Sequence, residues 1–248
     1  MSDDYIINTI ELIGESAFKD CTSIKTIEFS VNANFDTISK SAFSGCSSLE
    51  YINIPDNIVY INDSAFADCS GETTLTFLGT PKVTTIGESA FENNLNLQAI
   101  NIPSTVISIG NKAFMNCEKA KTLVLSTNTN CTVINESAFE NCKALEAINI
   151  PTNIITISKN AFKGNISAKT LEFVSVSKIQ TIGESAFENC VVLEAINIPV
   201  TVTSIALKAF KNCNMATLID IKSTELAIGE SAFEDAMSNE LLEVVGVV

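Results

Sequence analysis

Eight cysteines, 29 carboxylates and several recurring serines are the residues that could do chemistry in this 248-residue chain, which contains no histidine. Seven of the eight thiols, Cys21, Cys46, Cys69, Cys117, Cys142, Cys190 and Cys213, sit three residues after a phenylalanine, and Asn94, Asn165 and Ala236 fill the same slot elsewhere. A metal site needs thiolates gathered at spacings such as Cys-x-x-Cys, and none of these is so placed. Cys, Asn and Ala share small size, so the slot reads as an inward position beside a turn, occupied by buried thiols. Cys131 lies off this series in a longer turn and is expected to be the most accessible thiol. Ser16, Ser89, Ser185 and Ser231 all stand in Gly-Glu-Ser-Ala-Phe. That motif lacks the second glycine of a nucleophile elbow, and with no histidine in the chain there is no base for a triad. Catalytic groups converge once, whereas these recur, so neither an enzyme nor a cofactor is expected.

What recurs must be explained by architecture. Ala-Phe occurs ten times, ending at Phe18, Phe43, Phe66, Phe91, Phe114, Phe139, Phe162, Phe187, Phe210 and Phe233, at steps of 25 or 23 residues. A period near 24 falls in the range of solenoid repeats. Eleven residues after each Phe comes an apolar residue, and two before that another, as in Ile100 and Ile102 or Ile148 and Ile150. This apolar-x-apolar pair reads as a short strand with one face buried. A second apolar residue, such as Ile109, Ile134, Ile157, Ile182 or Ile205, precedes the Ala-Phe, with no helix-length amphipathic run between them. Each unit is therefore one coil of a solenoid that closes its core only by stacking on its neighbours.

Composition agrees with a folded chain, 46% hydrophobic and 18% charged. The net charge is −14, and all 15 basic residues are scattered lysines, so no stripe exists to neutralise a phosphate backbone. Nucleic acid is not expected as a partner, and no apolar run is long enough for membrane insertion. The start has neither the basic nor the apolar region of a signal peptide. The chain as given thus reads as cytoplasmic, with the cell surface open to a longer form that carries an export signal.

The stretch LQAINIPSTVISIGNKAFMNC, Leu97 to Cys117, resembles the BspA-like, treponemal-type leucine-rich repeats, and about ten copies of the pattern span the chain. The resemblance implies one domain over 1–248, a right-handed arc of about ten 23/25-residue coils. A parallel β-sheet would line its concave face, with short turns or one-turn helices opposite. It also implies a non-enzymatic protein-binding or scaffold role, of adhesion type in many members.

On the strand face the outward row would comprise Glu28, Asn53, Thr76, Asn101, Val124, Asn149, Glu172, Asn197, Asp220 and Glu243, flanked by a second row that includes Tyr51. Candidate partner-binding residues are Glu28, Tyr51, Asn53, Asn101, Asn149, Glu172, Asn197 and Asp220, Tyr51 being the one binding-favoured type among them. The asparagines could also hydrogen-bond to one another along the stack. On the opposite face, rows such as Glu140, Lys163, Glu188, Lys211, Glu234 alternate in sign. A doubled period of two coils thus avoids stacking Glu on Glu. The chain opens within a half-repeat at Tyr5-Ile6-Ile7 and stops on LLEVVGVV, with no polar capping coil. Open coils of that kind could stack head to tail, so the partner is either another protein or further copies of the chain itself.

Overall fold

The computed structural model describes residues 5–7, 11–29, 35–71, 73–126, 130–174 and 176–237. Two kinds of strand alternate along the chain. The longer ones are β1 (Tyr5–Ile7), β2 (Ile27–Phe29), β4 (Tyr51–Ile54), β6 (Thr74–Phe77), β8 (Ala99–Asn101), β10 (Thr122–Val124), β12 (Ala147–Ile150), β14 (Thr170–Phe173), β16 (Ala195–Ile198) and β18 (Leu218–Ile221). Between them lie two-residue strands, β3 (Thr37–Ile38), β5 (Tyr60–Ile61), β7 (Thr85–Ile86), β9 (Ser108–Ile109), β11 (Val133–Ile134), β13 (Thr156–Ile157), β15 (Thr181–Ile182), β17 (Ser204–Ile205) and β19 (Ala227–Ile228). All pairing is parallel and in repeat register, for example Ile148 with Leu171 and Ile157 with Ile182. The chain is a leucine-rich-repeat solenoid, as the sequence implies. The second apolar residue of each coil from Ile38 on forms a short strand of its own, and Ile13 bridges to Ile38. The side opposite the long strands is made of turns, and the described residues contain no helix.

These turns carry the Ala-Phe pair. The ten repeat phenylalanines stack ring on ring from Phe18 to Phe233, with centroids 5.0 to 5.7 Å apart and planes within 15° of parallel. Eight of them, Phe43 to Phe210, are fully buried, beside alanines such as Ala138 and Ala186 that leave room for the backbone to turn. Around Phe139 the N–H groups of Ser137, Phe139 and Asn141 donate to the carbonyls of Lys159, Ala161 and Lys163 in the next coil, at 3.0, 2.9 and 2.8 Å. The intervening N–H groups of Ala138 and Glu140 turn back on Asn135 and Ser137. The same three inter-coil bonds recur at each turn from Phe18 to Phe210, and all of them point toward the C-terminal end. Splitting donors this way requires left-handed backbone two residues either side of the Phe, as at Ser137 (φ 54°) and Asn141 (φ 58°). That conformation favours Asn, Asp and Gly, which explains Asp20, Asn93, Asn116, Asn189 and Gly164 at the second site. Lys112 and Lys208 adopt it at the first site as well (φ 56° for each).

The strand face is less continuous than expected. Among the described residues the long strands pair as β1-β2, β4-β6, β8-β10, β12-β14 and β16-β18. Each junction of 25 residues, β2/β4, β6/β8, β10/β12 and β14/β16, lacks a ladder. The LLEVVGVV segment, on which the open C-terminal end rests, lies outside the described residues, as do residues 1–4 and 8–10 of the N-terminal half-repeat and Glu243 of the strand-face row.

Candidate protein-binding face

Alternation of burial along each long strand places the candidate residues. In β12 the pattern from Ala147 is half-buried, buried, exposed, buried, which turns Ile148 and Ile150 inward and Asn149 outward. Glu28, Asn101, Asn149, Glu172 and Asn197 are exposed, and Asn53 and Asp220 are half-buried on the same face. Tyr51 is 48% exposed at the start of β4. It borders a depression of about 500 Å³ lined by Lys25, Glu50, Thr74 and Gln98, with a Lys25–Glu50 ion pair at 3.3 Å. Lys25, Glu50 and Gln98 belong to the row one residue ahead of the Tyr51 row and are not among the candidates named from the sequence. Their common offset of seven residues from the repeat Phe could have revealed them.

The structure does not give this face an asparagine ladder. Asn53 faces Thr76, Asn101 faces Val124, Asn149 faces Glu172 and Asn197 faces Asp220. These asparagines occupy alternate coils, so another residue type always intervenes. A ladder of side-chain amides exists instead on the turn side. Asn93 donates to Asp68 (2.8 Å), Asn116 to Asn93 (2.8 Å), Asn141 to Asn116 (3.0 Å) and, beyond Gly164, Asn212 to Asn189 (2.7 Å). There the residues fall in consecutive coils and the left-handed backbone aims them along the stack.

The cysteine slot proves to be a donor position. Sγ of Cys46, Cys69, Cys117, Cys142, Cys190 and Cys213 each lies 3.2 to 3.4 Å from the carbonyl oxygen of the Phe one coil back. Asn94 and Asn165 make the same bond with their amides, to Phe66 (2.8 Å) and Phe139 (3.0 Å). Size alone therefore does not explain the slot. Burial pushes the Cys46 thiol up to about 11 and those of Cys142 and Cys213 to about 12, so they stay protonated and act as donors. All eight cysteines are free. Cys131 departs from expectation. It is buried, with its Sγ 3.4 Å from the Val133 carbonyl, because its turn folds inward against the core. Cys21, half-buried in the first turn, is the most open thiol. Among the described residues no three metal-binding side chains come together.

The turn face carries the alternating charges. Lys159 pairs with Glu184 (3.0 Å), Lys163 with Glu188 (2.8 Å) and Lys211 with Glu234 (3.0 Å), each across one junction. Burial alone would raise the Glu188 carboxyl, but hydrogen bonds from Lys163 and Ser185, with the charges of Lys163 and Lys208, hold it below the usual range.

With this geometry in view, the sequence pattern that defines the BspA type leucine rich repeat region, in six copies, matches residues 3–121 and 108–240. The chain belongs to the BspA-type leucine-rich repeat family. Solved structures of this repeat class agree. A leucine-rich repeat protein from Bacteroides ovatus shares 25% identity over 93% of this chain and 68% of its own, with a TM-score of 0.63. A leucine rich cell surface protein from Faecalibacterium prausnitzii shares 25% over 98% of this chain and 80% of its own, with a TM-score of 0.53. The pneumococcal vaccine antigen PcpA, at 21% identity over 78% of this chain and 50% of its own (TM-score 0.60), shares the fold. No curated protein matches the chain.

Proposed function

We propose that this BspA-type repeat protein is a non-enzymatic binding protein of adhesion type, whose partner is a protein held on the long-strand face. The observation that carries the reading is Tyr51, a large aromatic left 48% exposed beside a depression of about 500 Å³, on a face otherwise built of small polar side chains. Exposed aromatics in concave surroundings anchor protein interfaces. Glu28, Asn53, Asn101, Asn149, Glu172, Asn197 and Asp220 extend the contact row on either side. Among the described residues no helix is long and apolar enough to cross a membrane.

The test compares proteins retained by the intact chain with those retained by a Tyr51→Ala, Asn101→Arg variant of unchanged melting temperature. Loss of the retained protein supports the reading, and identical retention removes it. Light scattering against concentration, run on both chains, separates a foreign partner from self-stacking. Growth in mass that the double variant leaves unchanged would assign the chain to self-assembly instead.

A further inference from the structure

The junctions that lack ladders on the strand face share a covalent feature. In the coils that follow a paired strand, Leu78, Val174 and Lys222 donate their N–H groups to the carbonyls of Ile54, Ile150 and Ile198, at 2.8, 3.3 and 3.1 Å. In the four coils that follow the 25-residue junctions the same repeat position is Pro55, Pro103, Pro151 or Pro199. Proline has no N–H to give, so the bond that would end the ladder on Phe77 or Phe173 cannot form. The preceding coil in each case is the longer one, with two extra residues between its long and short strands. At β6/β8 and β14/β16 the strands part into slots of about 550 and 460 Å³. The first is floored by Leu75, Phe77, Ile102 and Pro103. A bond just ahead of the strands remains at three of the four junctions, Glu50 to Lys25 (2.8 Å) at β2/β4, Glu146 to Lys121 (3.1 Å) at β10/β12 and Glu194 to Lys169 (3.0 Å) at β14/β16. The turn column differs at the same junctions. Across β6/β8 it keeps all three inter-coil bonds, Ser64 to Glu88, Phe66 to Ala90 and Asp68 to Glu92, each 2.8 Å, together with the Phe66–Phe91 stack.

We propose that the strand face opens and closes at these four prolyl seams while the turn column stays shut, so that the solenoid flexes in two-coil blocks. The phenylalanine column is the hinge line. The seams are where the spacing between rows of contact residues, such as Thr76 and Asn101, adjusts. What the flexing serves, the fit of this face to the contour of a protein partner, rests on the function proposed above. The flexing itself does not.

Residue-resolved amide hydrogen exchange on the free chain tests it. Successive N–H groups of a strand point to opposite edges, so Phe77 and Asn101 face the seam while their neighbours Leu78 and Ile102 are bonded to Ile54 and Val124. Exchange at Phe77 and Asn101 is expected to be faster by roughly tenfold or more, the spread typical of local opening against a closed ladder. In Pro103→Ala the supplied N–H should slow exchange at Phe77 and Asn101 toward that of their neighbours. Equal protection of the four amides in the natural chain overturns the proposal, as does a folded Pro103→Ala chain in which seam exchange is unchanged. If Pro103→Ala does not fold, Pro199→Ala with Phe173 and Asn197 gives the same readout. The measurement needs no partner, so a failure of the binding reading would leave its outcome standing.

Discussion

The side-chain amide of Asn94 donates to the carbonyl oxygen of Phe66 at 2.8 Å, in the place where six other coils use a thiol. Its own carbonyl oxygen is buried and has no partner. From Cys46 to Cys213 the slot therefore holds a donor, and asparagine fills it with an orphan acceptor left over. A buried unpaired polar group of this kind costs about 1–3 kcal/mol.

Asn94→Cys should accordingly keep the bond, remove the orphan and leave stability equal or higher. Asn94→Ala should lower it by about 1–2 kcal/mol, since the Phe66 carbonyl then loses its donor. Urea midpoints at constant slope measure both. A cysteine variant less stable than the alanine one would show that the slot selects on shape alone.

Lys163→Glu should lower the melting temperature more than Lys119→Glu. Lys163 sits 2.8 Å from Glu188, and the substitution sets three carboxylates in line from Glu140 to Glu188. Lys119 forms no ion pair among the described residues. Because Lys163 is about a third exposed, the difference is expected to be only about 1 kcal/mol. Equal shifts would mean that the two-coil charge alternation contributes nothing.

The pH dependence follows from the same pair. The Glu188 carboxyl is held below its ordinary 4.5, so its contribution is fully present above that pH. It is lost as the pH falls through the lowered folded value. Lys163→Gln should flatten that part of the acid unfolding profile, and a profile of unchanged shape would remove the assignment.

The thiols titrate in the opposite sense. Cys46 is raised from 9.0 to about 11, and Cys142 and Cys213 to about 12, first by burial. The folded state thus holds protons that the unfolded state releases, and stability should decline from pH 9 upward through these folded values. At neutral pH a maleimide should label Cys21 first and reach the others, Cys131 included, only on unfolding. Mass spectrometry of the labelled chain decides it, and fast native labelling at Cys131 would contradict the inward placement of its turn.

Much of the fold was legible because its signals are local and repeated. The ten Ala-Phe pairs mark a buried column, and the apolar-x-apolar pairs mark strands whose middle residues, Asn101 or Asn149, must face out. The candidate face was legible for the same reason. The row of Lys25, Glu50 and Gln98 was marked by its common offset from the repeat Phe, but their meeting around Tyr51 comes only from the lateral stacking of coils.

The sequence by itself thus determined the period, the inward and outward sides of each strand and the alternation of charge, because each follows from residue spacing within one or two coils. The tertiary structure alone decided which hydrogen bonds cross between coils. Whether a proline lies on an edge that needs a donor depends on the phase of each strand against its neighbour. The same phase sets where an asparagine meets another asparagine, which thiol turns inward and where the sheet parts. That phase is a property of the stack as a whole, which no single coil contains.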